Sequence, residues 1–161
     1  MKKIQIHAGA IILGMHDALV SLTGLISGLT FALANQKIII LSAIIASATA
    51  APSMGASEYL AEKTRHNKYA ICTGVITGMV YAITCLILLI PFYITDKTKI
   101  ALFISYAIVV FMIFLCNFCI RHAHSRRWWH HAFEMLIICT TVSIVAFLIG
   151  EVANKTLGIN I

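Results

Sequence analysis

An all-α membrane protein of five transmembrane helices in a single domain is what this sequence predicts, and three observations predict it. Hydrophobic residues make up 60% of the chain and charged residues only 11%, where a soluble domain averages about 25% charged. The apolar residues gather into five runs, each meeting or nearly meeting the roughly 20 residues that a crossing helix needs. The remaining charges collect in short connections between the runs. A mean hydropathy of +0.93 agrees, and 161 residues fit one such domain.

A short basic lead, residues 1–6, precedes the first span, residues 7–34, which stops at Asn35-Gln36-Lys37. This run is longer than a signal-peptide core and reads as a retained span. The second span, residues 38–61, contains Pro52 and ends at the polar knot Glu62-Lys63-Thr64-Arg65-His66-Asn67-Lys68. The third, residues 69–94, has Pro91 near its end and is followed by Thr95-Asp96-Lys97-Thr98-Lys99. The fourth, residues 100–120, runs into a basic, His-rich link, residues 121–127, and Trp128-Trp129 then mark a membrane interface. The fifth covers residues 131–150. An odd number of spans leaves no complete inverted repeat within one chain, which favours a site between two subunits.

The net charge of +6 comes from 12 basic and 6 acidic residues, nearly all in the connections. It is therefore a signal of topology and of lipid headgroup contact, and it predicts no nucleic-acid partner. Eight of the 12 Lys and Arg residues lie in the N-terminal lead, the second link and the fourth link. The positive-inside rule accordingly puts the N-terminus in the cytosol and the C-terminus outside or in a lumen. The membrane is the plasma or inner membrane of a prokaryote, or that of an organelle. Five cysteines, all within apolar runs, do not suggest a disulfide framework. Cys116 and Cys119 form a CxxC spacing that one turn of a membrane helix produces readily.

The candidate functional residues are those that hydrocarbon does not tolerate without a reason. Asp17 lies about 10 residues, or about 15 Å, into the first span. A carboxylate at that depth costs several kcal/mol unless it is paired or faces water, so it is a functional candidate by default. It is suited to exchanging a proton for a cation. Met54 and Glu58 are four residues apart and share a helix face. A soft sulfur beside a hard carboxylate suits a borderline divalent metal. Pro52, just before them, frees the Ala48 carbonyl and marks a hinge. Glu62 continues the face one turn later, where solvation is the simpler reading. His16, beside Asp17, is open to either a ligand or a packing role. Glu134 near the start of the fifth span is an outside candidate, and His122-x-His124 has a metal-binding spacing that solvation equally explains. Gly24 and Gly28, like Gly74 and Gly78, form small-xxx-small pairs that let helices approach, either within the chain or between copies.

These residues carry a resemblance. His16-Asp17-Ala18-Leu19-Val20-Ser21 followed by Gly24 resembles the Asp-Gly-Ile-Val-Ser signature of the vacuolar iron transporter family. Ser53-Met54-Gly55-Ala56-Ser57-Glu58-Tyr59-Leu60 resembles that family's Ser-Met-Ala-x-Gly-Glu-Tyr segment. The order, separation and five-helix layout also match, well across residues 14–65 and more generally beyond. Ala18 replaces the usual Gly, and Ser57 replaces the Gly before Glu58. Many members carry a Glu- and Met-rich helical domain between their second and third helices. Here that connection is only Glu62 to Lys68, so the chain is similar to the shorter, nodulin-like or prokaryotic branch.

The resemblance implies a homodimer that moves ferrous iron, and often manganese, out of the cytosol against protons. It implies a pathway between subunits lined by Asp17 and Met54, with Glu58 at the cytosolic entrance and Glu62 and His66 left to gather metal. The expected cofactors are none held permanently, the metal being cargo. The expected partners are a second copy, divalent metal ions, protons and the bilayer. The rival reading is a non-transporting membrane subunit, such as a haem-bearing redox partner or an assembly protein. Haem requires facing histidines within the spans, and only His7 and His16 lie in span one. No nucleophile–base pair or cofactor loop points to an enzyme.

Overall fold

A computed structural model describes the backbone of residues 2–32, 35–121 and 128–157, and the side chains of residues 8–32, 35–117 and 130–156. It contains α1 (Lys2–Ala32), α2 (Gln36–Thr64), α3 (Ala70–Ile94), α4 (Thr98–Arg121) and α5 (Trp128–Leu157). Five helices among the described residues are long and apolar enough to cross a membrane. The expected end of span one at residue 34, His122 and His124, and the Cys119 side chain lie outside what is described.

The helices outrun the apolar runs. Helix α1 starts at Lys2, α2 continues to Thr64, and α5 extends from Trp128 to Leu157. Hydropathy measures only the hydrocarbon crossing, whereas a helix continues wherever its polar groups find partners. At the end of α5, Lys155 Nζ lies 2.8 Å from Glu151 Oε1, an i,i+4 pair. At the end of α2, Asn67 N–H donates to the Glu62 carbonyl and His66 N–H to the Lys63 carbonyl. That is a Schellman motif, with His66 in the left-handed position at φ 54°. The Asn35 side chain caps the start of α2 by accepting from the Lys37 N–H at 3.0 Å.

Two glycine seams hold the bundle. Between α2 and α3, a Cβ on Gly78 would stand 2.9 Å from the Ala51 carbonyl, and one on Gly55 would stand 2.8 Å from the Gly74 carbonyl. Between α1 and α5, a Cβ on Gly24 would stand 2.9 Å from Val142 Cγ1, and one on Gly28 would stand 2.9 Å from the Ala146 carbonyl. Both small-residue pairs therefore serve packing within the protomer. The seams also fix direction. Residues rise together from Gly24–Val142 to Gly28–Ala146, so α1 and α5 are parallel. Gly14 meets Thr77 while Ser21 meets Tyr81, so α1 and α3 are parallel too. The α2–α3 link and the start of α5 thus share one face of the bundle with the start of α1. At the other face Gln36 braces three helices. Its amide donates to the Phe92 and Thr95 carbonyls, and its Oε1 accepts from the Thr98 hydroxyl at 3.2 Å.

Candidate functional site

The contacts give the height of each candidate. Gly14 opposite Thr77 puts Asp17 level with about residue 80 of α3, and the Ala51–Gly78 seam carries that level to about residue 49 of α2. Both positions are close to the middle of their helices. Met54 lies about 7 Å and Glu58 about 13 Å from that level, at 1.5 Å per residue, toward the α2–α3 link. The three residues form a ladder from half-depth to one face.

Asp17 is exposed on the outside of the protomer. Its backbone carbonyl accepts from Ser21 Oγ at 2.7 Å, but no described residue donates a hydrogen bond to its carboxylate. Met54 is half-buried against the apolar core, and Glu58 is half-buried one turn further on. On α2, Ser47, Met54 and Glu58 are spaced i, i+7, i+11 and so lie along one stripe. Ser47 Oγ donates to the Ala43 carbonyl of its own helix at 2.7 Å. Pro52 is exposed and lines an apolar groove of about 580 Å³ with Gly55, Ala56 and Gly78.

The secondary candidates fare differently. Glu62 is buried, and both carboxylate oxygens are engaged: Oε1 with Arg65 Nη1 at 2.8 Å, Oε2 with the Asn67 amide. Its visible work is to close the α2–α3 turn. His16 points elsewhere, with its Nε2 buried and without a partner. Glu134 pairs with His131 on the surface of α5, Oε2 to Nδ1 at 3.3 Å. Among the described residues, no three His, Cys, Asp or Glu side chains gather closely enough to hold a metal.

A polar cluster beside Asp17 was not evident in the sequence. The Tyr81 hydroxyl and Ser21 Oγ are 2.8 Å apart. Cys85, one turn further along α3, is buried, and Asp17 lies within electrostatic range of both Tyr81 and Cys85. The signal was available: tyrosines favour the membrane interfaces, and Tyr81 is buried in the middle of a span.

Five helices long and apolar enough to cross a membrane define a polytopic integral membrane protein. The VIT family profile matches residues 8–71 and 63–151, and the chain belongs to this vacuolar iron transporter-like family. The two matched stretches meet at the α2–α3 link. No curated protein matches the chain significantly. The family is one of transporters, not enzymes, and membership together with the five-helix architecture is consistent with divalent metal transport.

Proposed function

We propose that the protein is a homodimeric exporter of divalent transition metal, ferrous iron or manganese, driven by proton antiport. The observation that carries this is Asp17: a carboxylate at half-depth, turned to the outside of its own protomer, with no donor to its oxygens among the described residues. Against lipid it would cost several kcal/mol. A second copy across a two-fold axis converts that cost into a site, because two carboxylates together supply the charge that a divalent ion needs.

The α2–α3 link faces the cytosol in this reading, which the distribution of Lys and Arg supports. Metal enters past Glu58, sheds water onto Glu58 and Met54 of both subunits, and reaches the Asp17 pair. Protons arriving from the other side neutralise the pair and release the metal outward. Pro52, beside an open groove, lets the end of α2 bend between the two states.

The test is metal uptake into proteoliposomes under an imposed pH gradient. Asp17→Asn should abolish gradient-driven uptake while leaving the protein folded and dimeric by light scattering. Wild-type transport by that variant would sink the mechanism.

A further inference from the structure

The apolar groove between α2 and α3 lies off the proposed metal path. It has a volume of about 580 Å³. Its floor is the seam at Gly55, Gly74 and Gly78, where the two backbones meet. Its α3 wall is the exposed ridge Ile71, Val75 and Met79, and its α2 wall is Pro52 and Ala56, also exposed. Pro52 and Ala56 stand two residues from Met54 and Glu58 respectively, which is about 160° round the helix. The groove therefore opens away from the Met54–Glu58 stripe.

Its length is that of one leaflet. The deep end, at Ala51 and Ala82, lies within about 3 Å of the Asp17 level. The other end, at Tyr59 and Ile71, lies toward the α2–α3 link. The ends are about 12–16 Å apart at 1.5 Å per residue. Half of a hydrocarbon core of about 30 Å is about 15 Å. An acyl chain in this leaflet covers the same distance, from the interface at the link to the midplane.

Charge marks the end at the link. The row Ala51, Gly55, Tyr59 continues at i+4 spacing to Lys63, whose Nζ stands 5.6 Å from the centre of the Tyr59 ring. A ring followed by a cation one turn further out is the order of a membrane interface. Lys63 and Lys68 are exposed and make no ion pair among the described residues, whereas Arg65 is engaged with Glu62 at 2.8 Å. A zwitterionic headgroup brings its own cation beside these ammonium groups, and an anionic one does not. A second copy facing the groove across a two-fold axis would set the same lysines opposite each other at one depth, like charge against like.

We propose that this groove holds one acyl chain of an anionic phospholipid from the leaflet on the link side, with the headgroup phosphate on Lys63 and Lys68. The bare glycine backbones leave room for the chain, and the ammonium groups at its end select the headgroup. The site needs neither Asp17 nor proton coupling, so it stands or falls apart from transport.

The experiment is native mass spectrometry of the full chain, released from detergent micelles titrated with phosphatidylglycerol or with phosphatidylcholine of the same chain length. Each lysine beside an anionic headgroup is worth about fivefold in affinity. The wild type should therefore retain one phosphatidylglycerol per protomer at concentrations about tenfold or more below those needed for phosphatidylcholine. Lys63→Gln with Lys68→Gln should remove that preference and leave phosphatidylcholine retention as it was. Ala56→Phe fills the groove with a ring and should abolish retention of both lipids, with helix content unchanged by circular dichroism. If Ala56→Phe does not fold, the lysine pair, exposed and outside the seam, decides alone. An unchanged preference in the lysine variant, or wild-type retention in a folded Ala56→Phe, would overturn the proposal. So would a fall in subunit number in Ala56→Phe, because a second copy would then be the occupant.

Discussion

Gly28→Ala tests the role of the α1–α5 seam. The new Cβ would stand 2.9 Å from the Ala146 carbonyl oxygen and 3.5 Å from the Ala146 Cβ. A relaxed carbon–oxygen contact is about 3.3–3.6 Å, so α1 and α5 must part by about 0.5 Å at this level. No side chain can retract to absorb that movement, because the obstacle is backbone and Gly150 lies on the same seam. A gap of 0.5–1 Å forfeits about a quarter to a half of the attraction between facing atoms. Overpacking of this kind costs about 1–3 kcal/mol. The assay is SDS-driven unfolding of the protein in mixed micelles, followed by circular dichroism, with the subunit number measured by light scattering. The expected result is a loss of about 1–3 kcal/mol with the subunit number unchanged. Wild-type unfolding together with dissociation into protomers would refute the reasoning, because it would make Gly28 part of a seam between copies.

Three further outcomes follow from the geometry. His66→Gly should stabilise the protein by about 0.5–1 kcal/mol in the same unfolding assay, because glycine takes a left-handed helix end without the Cβ penalty that His66 bears. Gln36→Leu should destabilise it by about 1–3 kcal/mol, because the Phe92 and Thr95 carbonyls lose their donor. Met54→Leu, which keeps the volume and removes the sulfur, should weaken ferrous iron uptake several-fold and leave manganese uptake nearly unchanged, since the thioether favours the softer ion; competition between the two radiolabelled metals measures it.

Asp17, Met54 and Glu58 were legible in the sequence because each breaks a rule of the solvent around it: a charge at half-depth, and a carboxylate one turn from a thioether at the end of an apolar run. The number of helices was legible for the same reason. What the sequence could not supply was pairing. A small-xxx-small spacing says that some helix comes close, not which one, so Gly24 and Gly28 were open between a neighbour in the chain and a second copy until Val142 and Ala146 appeared opposite them. Glu62 looked like a solvated carboxylate because its engagement with Arg65 and Asn67 depends on how α2 ends, and that turn rests on an unusual φ at His66. Gln36 looked like part of a link because a brace across three helices has no local pattern. Tyr81 did carry a signal, its depth, because tyrosines favour the interfaces and this one sits mid-span.

The two glycine seams pair the helices that carry the candidate residues. One joins α1 to α5, and the other joins α2 to α3. Asp17 belongs to the first pair, while Met54 and Glu58 belong to the second. Among the described residues, polar contacts that tie the pairs together near the site are Ser21 with Tyr81, and the Thr77 hydroxyl with the Ala10 carbonyl at 3.3 Å. Close backbone packing resists sliding, because each seam has carbonyls where side chains would otherwise give. Hydroxyl contacts can be exchanged for water at little net cost. The two pairs are themselves locked at Gly14, where a Cβ would press into the Thr77 backbone, so exchange at Ser21 and Tyr81 alone does not free α3 from α1.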